Sequence, residues 1–126
     1  MRTVLVVDDE YGMVEVLVAA LEDAGYRVFT AANGRRALER LEENRPDVVV
    51  SDFMMPLMDG AALVQAMRSH PTYRDIPVIM MSAAPEAALR KHVDGYAAFL
   101  RKPFRVSTLL ERIAAIFNPP RSSSPR

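Results

Sequence analysis

The chain contains no cysteine, which excludes disulfide cross-links and thiol chemistry. It has no net charge either. Sixteen Lys and Arg balance sixteen Asp and Glu, so no overall field draws the molecule onto nucleic acid or an anionic membrane, and direct DNA binding is not expected. No apolar run is long enough to cross a bilayer. Met1-Arg2 leads straight into Thr3-Val4-Leu5-Val6-Val7, which Asp8-Asp9-Glu10 breaks too early for a secretory signal. Histidine is scarce, and His70 and His92 lie far in sequence from these acids, as expected for surface or core residues rather than ligands. No internal repeat and no second domain is evident. The expectation is one cytoplasmic domain.

A length of 126 residues with 50% hydrophobic content suffices for one packed core. Five short apolar runs read as strands buried on both faces: Val4 to Val7, Arg27 to Thr30, Val48 to Ser51, Val78 to Met81 and Ala98 to Leu100. Helical periodicity lies between them. Val14, Leu17, Val18 and Leu21 mark a first helix stopped by Gly25, and Asn33-Gly34 and Pro46 bracket a second around Ala37, Leu38 and Leu41. Leu63 and Met67 mark a third, residues 85–93 a fourth, and Val106, Leu109, Leu110, Ile113, Ile116 and Phe117 a fifth. Fivefold alternation of strand and helix predicts a doubly wound α/β fold, a parallel sheet with helices on both faces. Residues 118–126 hold three prolines, three serines and two arginines with no apolar residue, the composition of a disordered tail or linker.

In such a sheet a ligand site lies beyond the carboxyl ends of the strands, where the strand order reverses. In a flavodoxin-like order 2-1-3-4-5, strands one and three are neighbours. The first strand runs into Asp8-Asp9, the third into Asp52, the fourth into Ser82 and the fifth into Lys102-Pro103; the second, ending in Ala31-Ala32, delivers no reactive group. Taken singly, each feature has an ordinary explanation. Acids before a helix suit its macrodipole, Asp52 can be a turn residue, Ser82 a strand-end hydroxyl, and Lys102 a solvated charge. Their placement on one edge is harder to attribute to chance. Three neighbouring carboxylates repel one another unless a cation neutralises them, and oxygen-only ligands point to Mg²⁺, with Mn²⁺ as a substitute, rather than zinc. With Ser82 and Lys102 available to phosphate oxygens, the set suits phosphoryl transfer.

Val4-Leu5-Val6-Val7-Asp8-Asp9-Glu10, Asp52-Phe53-Met54-Met55-Pro56-Leu57-Met58-Asp59-Gly60, Pro77-Val78-Ile79-Met80-Met81-Ser82-Ala83 and Lys102-Pro103-Phe104 together resemble the receiver family of two-component response regulators, over residues 3 to 117. The resemblance implies a receiver domain over residues 1–117, with Asp52 as the phosphoacceptor that attacks a phosphohistidine. It implies that Asp9 ligates Mg²⁺ directly, Asp8 largely through water, Asp52 itself, and Met54 through its backbone carbonyl. It places Ser82 at the switch hydroxyl, Phe99 at the rotating aromatic and Lys102 at the phosphate-binding lysine. The implied donor is a sensor histidine kinase or histidine phosphotransfer protein, docking near the helix that begins Tyr11-Gly12-Met13-Val14. A downstream protein would read the fourth helix, fifth strand and fifth helix, with the domain a monomer or a phosphorylation-linked dimer. Such a domain is a switch rather than an enzyme, beyond its own phosphorylation and slow self-dephosphorylation.

Some features depart from that pattern. Between Ser82 and Gly95 the chain is about two residues shorter than usual, and Tyr96 stands where a small alanine is common, so a short or shifted fourth helix is expected. Phe99 lacks the hydroxyl of the tyrosine found in many relatives, so its inward state should be a packing state alone. The side chains of Met54, Met55 and Met58 read as apolar gap fillers. The last helix lacks a good cap at Phe104-Arg105, although Thr108 and Glu111 have capping-box spacing, and its start is expected to fray. A Mg²⁺-dependent phosphatase of the haloacid-dehalogenase type would need an acid where Met54 stands, and a phosphorylation-independent scaffold would not need the complete acid set. The tail fits either a stand-alone regulator of the chemotaxis type, the preferred expectation, or a linker to an effector domain.

Overall fold

The computed structural model describes residues 1–119. Strands and helices alternate as β1 (Thr3–Val7), α1 (Tyr11–Asp23), β2 (Arg27–Ala31), α2 (Gly34–Glu43), β3 (Val48–Asp52), α3 (Gly60–Arg68), β4 (Val78–Ser82), α4 (Glu86–Arg90), β5 (Ala98–Arg101) and α5 (Val106–Phe117). All four strand pairings are parallel, and the order is β2-β1-β3-β4-β5, as the sequence pattern predicts. Each strand is one residue longer than its apolar core suggests, β1 at its start and the other four at their ends. Asp52 and Ser82 are therefore the last residues of their strands, not the first of the loops beyond, and the sheet ladder itself fixes their backbone.

Alternate strand residues feed two cores. Leu5, Val7, Val49, Val78 and Met80 face one side with Ala37, Leu41, Leu63, Met67 and Leu89 of α2, α3 and α4. Val4, Val6, Val48, Val50, Ile79 and Met81 face the other with Leu17, Leu21, Leu109 and Ile113 of α1 and α5. The central strands β3 and β4 are buried along their whole length, which is why their sequences run apolar rather than alternating.

Helix boundaries follow local chemistry. Asn33 caps α2 by accepting the Arg36 N–H at 2.9 Å, and Asp59 caps α3 by accepting the Ala62 N–H at 2.9 Å, each a contribution of about 1 kcal/mol. Gly25, with φ of +97°, follows the end of α1. Helix α5 begins at Val106 with no side-chain cap, one turn earlier than its best capping sequence, because Leu109 and Ile113 are fully buried and hold it. Helix α4 is shorter than the expected span of residues 85–93. It keeps five residues and then turns, with Leu89 and Val93 anchoring it to the core.

Leu57 lies in the loop between β3 and α3 with φ of +68° and 80% of its surface exposed. The left-handed region costs a branched L-residue about 1–2 kcal/mol, and an exposed side chain recovers little by packing. Leu57→Gly is expected to raise the stability of the fold by about 0.5–1 kcal/mol, the net of relieved strain and added chain entropy. A lower urea midpoint for the variant would contradict the strain assignment.

Candidate functional site

The parallel register aligns the strand ends. Val7 is level with Ser51, Asp52 with Met81, and Ser82 with Arg101. Backbone hydrogen bonds carry the alignment past the strands: Asp8 N–H donates to Ala31 O at 3.1 Å, Phe53 N–H to Met81 O at 2.8 Å, and Lys102 N–H to Ser82 O at 2.8 Å. Asp52 and Ser82 thus close their strands, Asp8 and Lys102 follow theirs directly, and hydrogen-bonded backbone presents all four on one edge.

Carboxylate oxygens of Asp8, Asp9 and Asp52 all lie within 4.8 Å of one another. The Lys102 ammonium spans two of these acids, 3.1 Å from Asp8 Oδ2 and 3.3 Å from Asp52 Oδ1. Asp8 has no side-chain exposure, and its other oxygen, Oδ1, accepts the Glu10 N–H at 2.9 Å, which also braces the turn into α1. Asp9 is exposed and open to solvent. Three carboxylates against one ammonium leave two negative charges uncompensated. The energetics follow: burial first, then the neighbouring Asp8 and Asp9, raise the Asp52 carboxyl above its ordinary pKa, against the opposing pull of Lys102. For Lys102, burial would lower the pKa, but the charges of Asp52 and Asp8 outweigh it and hold the ammonium protonated. A hard divalent cation among these oxygens would neutralise the surplus charge, so the residues present fit such an ion.

The neighbourhood is accessible. Asp8 and Asp9 border a hollow of about 270 Å³ shared with Tyr11, Val14 and Ala32. A larger groove, about 320 Å³, runs between α3 and the segment after α4; it is lined by Val64, Arg68, Lys91 and Asp94 and includes none of the three acids.

Residues 4–114 match the family described as the response regulator receiver domain. This chain is a response regulator receiver domain. The receiver is 38% identical over 118 residues to the transcriptional regulatory protein PrrA of Mycobacterium tuberculosis, covering 90% of this chain and 48% of that protein. The chain therefore spans about half the length of the curated relatives it matches. It is similar to the chemotaxis response regulator CheY4 of Vibrio cholerae, with a TM-score of 0.84 and 37% identity, covering 92% of this chain and 98% of that one. It is also similar to the response regulator TrrA of Thermotoga maritima, solved in complex with Mg(2+)-BeF, with a TM-score of 0.83 and 28% identity, covering 92% of this chain and 99% of that one. The family works as a phosphorylation-based switch in two-component signalling, and its members are phosphoacceptors rather than enzymes in general.

Within the receiver, Asp8, Asp9, Asp52 and Lys102 come together as the sequence suggests. Ser82 stands on the same edge, fully buried, but its hydroxyl is engaged elsewhere, accepting the Ala84 N–H at 3.0 Å. Phe99 is half-buried in β5, level with Met80 and packed against the core that includes Phe53, Leu89 and Val93. Met55 packs on that same core, as expected of a gap filler. The side chain of Met54 is not among those packed there; it is 68% exposed. Both histidines lie outside the acid cluster. His70 stacks on Tyr73, and His92 sits 5.9 Å from the Phe53 ring.

Two features escaped the sequence reading. Gly60 packs its backbone directly against Asp52, a contact that the motif spelling alone does not reveal. Tyr96 and Glu86 form a hydrogen bond across the α4–β5 turn. The Glu86–Arg90 spacing of four residues was the available signal for part of it.

Proposed function

We propose that Asp52 is the phosphoacceptor of this receiver and that Asp8, Asp9, Asp52 and the backbone carbonyl of Met54 hold a Mg²⁺ ion, for which Mn²⁺ substitutes. The carrying observation is the convergence of three carboxylates and the Lys102 ammonium at the ends of β1, β3 and β5. Bound there, Mg²⁺ supplies the positive charge that lets an anionic nucleophile meet an anionic phosphoryl group. A carboxylate oxygen of Asp52 attacks the phosphorus of a phosphohistidine; the P–N bond breaks as the P–O bond forms. Lys102, already 3.3 Å from Asp52, is placed to follow the negative charge onto the phosphoryl oxygens. Ser82 must release the Ala84 N–H to reach them, and the space it vacates admits Phe99, so a local bond exchange reaches the β5 surface.

The donor in this reading is a cytoplasmic sensor histidine kinase or a histidine phosphotransfer protein approaching beside Tyr11. The output is a protein contact through α4, β5 and α5, with no direct nucleic-acid contact by residues 1–117 and with a monomer or phosphorylation-linked dimer. Among the described residues no helix is long and apolar enough to cross a membrane.

Phosphoramidate with Mg²⁺ is expected to add one phosphoryl group to the intact protein, and omission of Mg²⁺ or Asp52→Asn should abolish the gain, read by intact-mass spectrometry. An adduct that survives Asp52→Asn would move the acceptor elsewhere. The same variant removes one of the uncompensated charges. In Mg²⁺-free buffer it should stabilise the fold by about 1 kcal/mol, the ordinary scale of a single-site change, or some 3–6 °C in thermal midpoint for a domain of this size. Added Mg²⁺ should narrow that difference by stabilising the wild-type chain. A variant less stable than wild type without Mg²⁺ would contradict the charge assignment.

A further inference from the structure

The β4–α4 loop is tied at two points. Ser82 Oγ accepts the Ala84 N–H at 3.0 Å, and Arg101 Nε, one strand over, donates to Ala83 O at 3.3 Å. Only Ala83, Ala84 and Pro85 separate Ser82 from Glu86, the first residue of α4. Glu86 is itself held. The Tyr96 hydroxyl donates to Glu86 Oε2 at 2.8 Å, Arg90 Nη2 donates to the same oxygen at 3.1 Å, and Arg90 Nε donates to the Tyr96 hydroxyl at 3.2 Å. The Tyr96 ring packs against the core that contains Leu89, Val93 and Met80, and half-buried Phe99 packs against it too. The Tyr96 hydroxyl therefore bonds to both ends of the short helix, Glu86 and Arg90, while its ring rests on the core.

The structure assigns Tyr96 as a positioning residue for the phosphorylation switch: with Glu86 and Arg90 it forms a clamp that holds α4 in the unphosphorylated arrangement. This inference rests on the reading of Asp52 as phosphoacceptor and Ser82 as the hydroxyl that moves. When Ser82 turns toward Asp52, it frees the Ala84 N–H, and the loop of three residues transmits the displacement to Glu86. A fixed Glu86 resists that displacement, so the clamp opposes the switch. Phe99 offers no hydroxyl of its own, which leaves Tyr96 to supply the polar hold on this face. The clamp is partly exposed, with the side chain of Arg90 68% accessible, so its contribution is modest.

The test compares the full chain with Tyr96→Phe and Glu86→Gln, both of which keep the shape of the side chain. Two quantities are measured: amide hydrogen exchange of residues 84–93, and the affinity for beryllofluoride in saturating Mg²⁺, followed by NMR. The clamp predicts faster exchange across α4 in both variants and beryllofluoride binding tighter by about three- to tenfold, with Mg²⁺ affinity unchanged. Faster exchange with unchanged or weaker beryllofluoride binding would make the triangle a structural brace only and overturn the assignment. Should wild type itself fail to bind beryllofluoride while binding Mg²⁺, the phosphoacceptor reading falls, and the role of the clamp with it.

Discussion

Lys102→Ala is expected to weaken the fold by about 2–4 kcal/mol in Mg²⁺-free buffer, the cost of leaving buried charge without its partner. Asp8 has no side-chain exposure and Asp52 only 11%, and Lys102 is the cation that pairs with both. Without it, three carboxylates remain together with no compensating charge, and each raises the cost of ionising the others. The same substitution should slow phosphorylation by small-molecule donors by about 10²-fold, since one charge-stabilising group aimed at a reacting phosphoryl is worth that much. The two losses separate. Mg²⁺ should restore much of the stability by neutralising the acids, but little of the rate, because the ion is part of the wild-type reaction already. Combining Lys102→Ala with Asp52→Asn should recover part of the lost stability, a coupling that a double-mutant cycle measures. Additive effects in that cycle would mean that the Lys102–Asp52 contact carries no energy.

Gly60→Ala is expected to destabilise by about 2–3 kcal/mol, the cost of forcing a methyl group into packed backbone. A Cβ at this position would lie 2.5 Å from the backbone oxygen of Asp52 and 3.0 Å from Phe53 Cα and Met80 Cε. Only the methionine methyl can yield easily. The first turn of α3 must then retreat from the end of β3, although Gly60 N–H donates to Phe53 O at 2.9 Å and holds it there. Because the displaced atoms belong to Asp52 itself, the variant should also lose phosphorylation out of proportion to its stability. Gly12→Ala provides the internal contrast. That glycine sits in α1 with nothing within 4 Å of an added Cβ, so the same change should stabilise by about 0.5–1 kcal/mol through helix propensity. Opposite signs in urea unfolding are the expected outcome; equal effects would refute the close-packing account of Gly60.

The parallel sheet was legible because buried strands are apolar without interruption, and the strand order followed from the fold class. The acids and Lys102 were legible for a related reason. Polar groups at the ends of such strands stand out against Val-rich sequence, and the register that brings them together is a property of the fold. Less legible were features set by tertiary contact. Strand ends such as Asp52 and Ser82 were placed one residue too far out because a polar residue looks like the start of a loop, whereas the ladder continues through Phe53 N–H and Lys102 N–H. The start of α5 defied its poor cap because Leu109 and Ile113 are buried. Met54 reads like its neighbours Met55 and Met58 yet is the exposed one, since the loop direction after β3 decides which of the three reaches the core. The Tyr96–Glu86 contact spans ten residues across a turn whose geometry no periodicity encodes.

The most direct measurement is the location of the phosphoryl group in the wild-type chain. After phosphorylation with phosphoramidate and Mg²⁺, borohydride reduction converts an acyl phosphate to an alcohol that survives digestion, and tandem mass spectrometry reads its position. The account predicts reduction at Asp52, with Asp8 and Asp9 unmodified and no product when Mg²⁺ is omitted. Reduction at Asp8 or Asp9, or a product formed equally well without Mg²⁺, would contradict it.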